Sequence, residues 1–242
     1  MALRLWPVNT KVDCKAITVK PSTMEVQNLQ ILRDYVLAEA RSLPDGEGLD
    51  GLSSALVELG LAASVTALEP VAMRESMDRA FACGASLDQV EEIIALVSGL
   101  GVHTLMASQA TLLELASARG LIDAAAPLTE RQQALWDEHV GDDPFWKGFE
   151  RENPGFLNAM VRICPDQFAA FFDYCAVPWK IGSVRALTKE LAALACDIAP
   201  THAFGPGLRV HLRNAAALGA TRQQVEDVLA LAEKAPGHKG IA

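Results

Sequence analysis

Basic residues, aromatic residues and paired cysteines are all scarce in this chain of 242 residues. Lysine and arginine total 21 against 30 aspartates and glutamates, and no cluster of basic residues could follow a phosphate backbone, so a nucleic-acid partner is not expected. Aromatic residues make up only 6% of the chain, whereas half of it is apolar, rich in alanine and leucine. This composition favours a globular, helical protein.

The spacing of the cysteines and the lengths of the apolar runs indicate the cellular compartment. The five cysteines are widely spaced, and no two of them form a Cys-x-x-Cys motif. This spacing favours free thiols over a disulfide framework. No run approaches about 18 uninterrupted apolar residues, and the first residues lack an apolar segment of signal-peptide length. We therefore expect a cytoplasmic protein with no membrane partner.

Helical periodicity dominates the chain after its first 24 residues. Residues 1–24 mix β-branched residues with two prolines and are predicted to form an extended arm. Beyond them, apolar residues recur at helical spacing, and segments such as Asn153-Pro154-Gly155 mark loops. The pattern predicts an all-α protein, including single helices over 87–107 and 109–119.

One segment occurs twice. Residues 84–92 (GASLDQVEE) match residues 219–227 (GATRQQVED), 135 positions later, although a helix-ending glycine followed by a capping box is enough to explain the motif. Upstream, Glu58 matches Glu190 at an offset of 132 rather than 135. The three-residue difference predicts a longer loop between these two landmarks in the second copy. The expected organisation is therefore this: an extended N-terminal arm over 1–24, a first, degenerate repeat over 25–126, and a second repeat with the site over 127–242.

The second copy contains the candidate acid–base residues. Glu190 lies on the shoulder of an apolar helical stripe, where partial removal from solvent suits a carboxylate for proton transfer. His211 lies on the apolar face of the next predicted helix, and His202 lies in the loop between them. These three residues could form a catalytic site. The alternative is a hydrogen-bonded core histidine and a loop histidine at the surface.

The order of these residues resembles the carboxymuconolactone decarboxylase/alkylhydroperoxidase D-like superfamily. The shared pattern is Glu190, a loop over 201–207, His211, and the Gly-Ala-Thr segment at 219–221. The match is specific over about 185–232 and weaker in the first copy. The resemblance implies an all-helical fold in which two copies pack about a pseudo-twofold axis. It also implies a homo-oligomer, with a trimer favoured.

The chain departs from the peroxidase branch of that superfamily, in which two cysteines follow the glutamate. The corresponding positions, twelve and fifteen residues after Glu190, are His202 and Gly205. Peroxide reduction by a dithiol needs an activated thiolate and a resolving partner, and Cys196 has neither the position nor the partner. The sequence therefore argues against a dithiol peroxidase.

The decarboxylase branch implies chemistry without a cofactor on a small anionic lactone. Glu190, His202 and His211 would move protons in such a site. Arg209 could hold a substrate carboxylate if the turn before it swings the side chain inward, although its helical face argues the other way. Phe204 belongs to the same turn and is also assigned to substrate binding.

His103 is a further candidate for substrate binding. The first copy has Ser76 where the second has His211, so the first copy is predicted to be inactive. His103 ends a very apolar segment, and packing about a twofold axis could bring it to the site of the second copy. The other interpretation is a core histidine that is bonded to a backbone carbonyl.

The segment between the copies combines acidic residues with aromatic ones. It contains His139 among aspartates and glutamates, but no second histidine lies at ligand spacing, so neither a metal ion nor another cofactor is expected. Its aromatic residues are predicted to fill a core or an oligomer interface: Trp136, Phe145, Trp146 and Phe149.

Three functions remain open. The favoured one is a carboxymuconolactone decarboxylase-like lyase or isomerase that acts on a small carboxylate or lactone. The others are a non-catalytic oligomeric binding protein of the same fold and a hydroperoxide reductase that uses the single thiol of Cys196. A structure that separated Glu190 from His211, or left no cavity between them, would favour the binding protein.

Overall fold

The computed structural model describes residues 29–241, in which every regular element is helical. The predicted arm over 1–24 lies outside the described residues. The elements are α1 (Leu29–Ala40), α2 (Gly51–Ala63), α3 (Pro70–Ala82), α4 (Leu87–Ser98), a 3₁₀ turn (Gly99–Val102), α5 (His103–Ala118), α6 (Glu130–His139), α7 (Pro144–Glu152), α8 (Phe156–Ile163), α9 (Pro165–Ile181), α10 (Ala186–Ile198), α11 (Gly205–Ala217) and α12 (Arg222–Glu233). The all-α prediction is confirmed.

Two details of the helix prediction are wrong. The run predicted over 87–107 is interrupted by the 3₁₀ turn, where Gly99 and Gly101 weaken the preference for a regular helix. The short helix α8 was missed. It lies between Gly155, which has a left-handed backbone with φ of 78°, and Pro165, which begins α9, so its eight residues show too little periodicity to be recognised.

Three helices of the first half recur in the second half at a constant spacing. The starts of α2 and α10, of α3 and α11, and of α4 and α12 are each 135 residues apart. The loops over 64–69 and 199–204 contain six residues each, so the predicted longer loop is wrong. At this register Glu190 corresponds to Ala55 rather than to Glu58. The sequence misaligned them because helices rich in alanine and leucine match at more than one register.

Equivalent positions touch where α2 meets α10. Ser53 Oγ lies 3.3 Å from Thr188 Oγ1, and Arg185 Nη2 donates to Asp50 Oδ2 at 2.7 Å; each pair is 135 positions apart. Identical positions meet across a twofold axis. These contacts favour the tandem repeat, which stays a prediction.

Helix α10 passes through the centre of the larger apolar core. All of its residues from Thr188 to Ile198 are buried, and it packs against α2, α4, α11 and α12. A second core, rich in aromatic residues, is built around α8 and α9. Because α10 is enclosed on every side, its three charged residues, Lys189, Glu190 and Asp197, lie inside the protein.

Lys189 has well-defined partners. Its Nζ donates to Glu92 Oε1 at 2.5 Å and to the Pro178 carbonyl at 3.0 Å. Glu92 Oε2 accepts the backbone N–H groups of Ser183 and Val184 at 2.6 and 2.9 Å. A buried charge is tolerated when it is paired in this way. The pair therefore fixes α10 against α4 and the end of α9.

The helical run Leu87–Ala118 exposes an apolar surface. Its 32 residues are long and apolar enough to cross a membrane by length and composition alone, and 22% of its most apolar window is buried inside the chain. Its first part, α4, packs against α2, α9 and α10. The α4 part of the run therefore belongs to the core, and the run leaves an apolar face uncovered by the described residues.

Candidate functional site

A cavity of about 630 Å³ lies between the two cores. Most of its wall is apolar and includes side chains from α9 such as Phe171 and Phe172, together with Phe145, Trp146 and Phe149 of the aromatic segment. Polar side chains interrupt this wall: His103, His139, Asn153, Asp173, Tyr174, Cys175, Lys180, Glu190, His211 and Asn214. An apolar cavity with a few converging polar groups is the usual form of a small-molecule site.

Glu190 and His211 meet at this cavity. His211 Nδ1 lies 2.7 Å from Glu190 Oε2, and Asn214 Nδ2 donates to Glu190 Oε1 at 3.2 Å. Residues 211 and 214 share a face of α11 because they are three residues apart. Glu190 is 5% exposed. A separation of Glu190 from His211, or the lack of a cavity between them, would have favoured a binding protein. The two residues instead touch and line one cavity.

The environment of His211 favours its charged form. Burial acts to lower its pKa, but the hydrogen bond to Glu190 and the charges of Asp197 and Glu190 outweigh it, so the pKa is raised above 6.5. His211 Nε2 lies 3.8 Å from Asp197 Oδ2, beyond hydrogen-bond distance. Glu190 contacts Nδ1, and Nε2 has no hydrogen-bond partner among the described residues.

Asp197 is a buried carboxylate that the sequence analysis missed. Its side chain is 0% exposed, and neither oxygen has a hydrogen-bond partner among the described residues. Burial raises its pKa to about 7, His211 opposes this rise and Glu190 adds to it. A Cβ atom at Gly207 would lie 2.2 Å from Asp197 Oδ2, so this glycine makes room for the carboxylate. Asp197 follows Glu190 by seven residues, two helical turns, and that spacing was the signal.

His103 and His202 form a second contact beside Asp197. His103 Nδ1 lies 2.7 Å from His202 Nε2, and the Phe204 ring stacks on His103 with centroids 4.0 Å apart. Asp197 Oδ1 is 3.5 Å from His202 Nε2 and 3.7 Å from His103 Nδ1. Burial lowers the pKa of His202; burial, followed by the charges of His202 and His211, lowers that of His103 to about 3. Both environments therefore favour the neutral imidazole.

Arg209 lies outside the cavity lining. Its Nε donates to Glu152 Oε2 at 2.6 Å, and Arg213 reaches the other oxygen of Glu152 at 3.3 Å. This is the orientation that its helical face indicated, and its role in substrate binding stays a prediction. Lys180, which no sequence motif indicated, is the one lysine or arginine among the described residues that line the cavity.

The thiols near the site are poor nucleophiles. Cys196 is fully buried, and burial together with the charge of Asp197 raises its pKa. Cys175 lines the cavity, and burial raises its pKa to about 11. Reaction with a peroxide requires a thiolate. Neither cysteine is therefore suited to the peroxidase alternative.

Comparison with known proteins places the chain in a family. No protein-family model and no curated protein matches the chain. A solved crystal structure does match: a presumed gamma-carboxymuconolactone decarboxylase subunit from Burkholderia xenovorans LB400. It is 30% identical, and the match covers 82% of this chain and 77% of that chain with a TM-score of 0.66. With this identity and coverage, the chain belongs to the carboxymuconolactone decarboxylase-like superfamily.

Proposed function

We propose that the protein is an acid–base enzyme, a lyase or an isomerase, that acts on a small carboxylate or lactone. The observation that carries this proposal is the Glu190–His211 pair at the wall of a largely apolar cavity. The family relationship supports it, because the similar Burkholderia protein is described as a presumed subunit of a decarboxylase for gamma-carboxymuconolactone. Proton transfer by a positioned histidine contributes about 10²–10⁴-fold to a rate.

Decarboxylation needs a proton donor rather than a nucleophile. The bond between the ring and the carboxylate breaks, carbon dioxide leaves, and the electron pair moves into the conjugated lactone. The His211 imidazolium then donates its Nε2 proton to carbon, while Glu190 holds Nδ1 and stabilises the positive charge. The raised pKa of His211 suits it to this role near neutral pH.

The apolar wall assists loss of the carboxylate. Phe171, Phe172 and Trp146 restrict the access of water, and departure of neutral carbon dioxide is favoured where a charge is poorly solvated. Lys180, at the exposed edge of the cavity, attracts an anionic substrate and orients its remaining negative charge.

The proposal is tested by following carbon dioxide release from gamma-carboxymuconolactone. We expect Glu190→Gln and His211→Asn each to lower kcat/KM by about 10²–10⁴-fold. His238→Asn, which changes an exposed histidine outside the cavity, serves as the matched control and should be unchanged. Far-UV circular dichroism checks that each variant is folded. Turnover that survives both site substitutions would refute the proposal, as would a wild-type protein inactive on this compound and on related carboxylated lactones.

We also propose that the protein is a homo-oligomer, with a trimer favoured. The apolar run Leu87–Ala118 leaves side chains such as Leu112 and Leu115 at 49% and 40% exposure, and Trp179 of α9 is 42% exposed. Exposed apolar surface of this kind usually marks an interaction site. Light scattering of the purified protein measures the mass, and a monomer would contradict this part of the proposal.

A further inference from the structure

The buried carboxyl group of Asp197 has no hydrogen-bond partner among the described residues, and His211 Nε2, at 3.8 Å, is too far away to supply one. Both of its oxygens are buried without a hydrogen bond among the described residues, whereas the neighbouring buried charges Lys189 and Glu190 have close partners. Buried carboxylates in proteins are normally hydrogen-bonded, paired with a cation or bound to a metal. The hydrogen bond between His103 and His202 satisfies one nitrogen of each ring but leaves both Asp197 oxygens without a hydrogen bond.

The three side chains are spaced as ligands of one metal ion. The separations are 2.7 Å between His103 Nδ1 and His202 Nε2, and 3.7 and 3.5 Å from these atoms to Asp197 Oδ1. Ligands bound tetrahedrally at about 2.1 Å are about 3.4 Å apart. A point about 2.1 Å from all three atoms lies about 0.8 Å out of their plane, so an ion fits with a small opening of the histidine pair.

We propose that His103, Asp197 and His202 bind one divalent transition-metal ion, with Zn²⁺ the best match. Two imidazoles and one carboxylate form a ligand set typical of catalytic zinc sites, which keep a further position open for water or substrate. The set combines α5, α10 and the loop before α11, so local sequence spacing could not reveal it.

The bound ion would lie at the edge of the cavity. His103 lines the cavity wall, and the second oxygen of Asp197 is 3.8 Å from His211 Nε2. From this position the ion can polarise a carbonyl oxygen of a bound lactone or carboxylate while His211 handles the proton. The metal proposal uses atoms other than those of the Glu190–His211 contact. Failure of metal binding would therefore leave the acid–base proposal intact.

Direct binding of zinc and cobalt tests this proposal. The full chain, stripped of metal with a chelator, is titrated with ZnCl₂ in competition with a chromophoric chelator, and with CoCl₂ while visible absorption is recorded. We expect one equivalent of Zn²⁺ with a dissociation constant below about 1 μM. The cobalt bands should have the intensity of a four- or five-coordinate site rather than of the hydrated ion.

Three variants connect the binding to these residues. Asp197→Asn preserves the shape of the side chain, His202→Gln removes one imidazole, and His238→Gln changes an exposed histidine outside the cluster. The first two should weaken zinc binding at least about 100-fold, since even groups behind the ligands contribute about 10–100-fold, and the third should not change it. If Asp197→Asn does not fold, His202→Gln decides. Absence of stoichiometric binding by the wild type, or unchanged affinity in the folded ligand variants, would overturn the proposal.

Discussion

Removal of the buried cation at Lys189 is the sharpest test of how α10 is held in place. Lys189 is 3% exposed and Glu92 is 0% exposed. In Lys189→Met, the carboxylate of Glu92 keeps its two backbone donors from Ser183 and Val184 but loses its counter-charge. Breaking a buried pair from one side costs about 3–5 kcal/mol, and we expect the free energy of unfolding to fall by this amount.

The double variant Glu92→Gln/Lys189→Met should recover most of this loss. The amide oxygen of glutamine can still accept the backbone N–H groups, and methionine occupies a volume similar to that of lysine. Because no uncompensated charge remains, we expect the double variant to lie within about 1–2 kcal/mol of the wild type. The two substitutions should therefore be strongly non-additive in a double-mutant cycle.

Urea unfolding followed by far-UV circular dichroism at pH 7 measures these differences, provided that the m-value is unchanged. Arg185→Met is the matched control, because it removes an ion pair with Asp50 whose side chains are 67% and 55% exposed. We expect that variant to lose at most about 1 kcal/mol. A loss below about 1 kcal/mol in Lys189→Met, or additive effects of the two single substitutions, would refute the reasoning.

Two further outcomes are expected. In metal-free protein, an NMR titration should show the His211 imidazole titrating above pH 6.5, and Glu190→Gln should move that pKa downward because burial is then opposed by Asp197 alone. By linkage, the raised pKa stabilises the fold below about pH 6.5, and this contribution disappears as pH rises through the folded-state pKa; an unchanged pKa in the variant would contradict the assignment. Gly207→Ala places a Cβ atom 2.2 Å from Asp197 Oδ2 and 3.0 Å from the Phe204 ring, so we expect a loss of about 1–3 kcal/mol in urea unfolding. Gly101→Ala meets nothing within 4 Å and is the control; equal stability of the two variants would show that Asp197 is not confined as described.

The contact between Glu190 and His211 could be anticipated from the sequence because both residues lie on recognisable helices. Glu190 and His211 each sit on or beside an apolar stripe, and a stripe reports the buried face of its own helix. The same periodicity predicts helices over 185–199 and 207–218, and α10 and α11 span Ala186–Ile198 and Gly205–Ala217. Their 2.7 Å contact follows from the packing of consecutive helices joined by a six-residue loop.

The rest of the site depends on contacts that no local pattern encodes. His103 meets His202 across 99 residues because the start of α5 packs beside the loop before α11. Asp197 lies among apolar residues near the end of α10, a position at which an aspartate is usually exposed. The sequence signal for its burial is its spacing of two helical turns from Glu190. The alignment of Glu58 with Glu190 was wrong for a related reason, because helices rich in alanine and leucine match at more than one register.

Helix α10 has consequences for how a ligand enters. Adjacent residues anchor it on different sides: Lys189 is tied to α4 and α9, while Glu190 is bound to α11. Sliding or rotation of this helix would break both attachments at once, which makes a shear mechanism of opening costly. Any widening of the cavity is therefore expected at the opposite wall, where aromatic side chains of α7 and α9 can change rotamer. We expect α10 to keep its position while the aromatic side chains opposite it move.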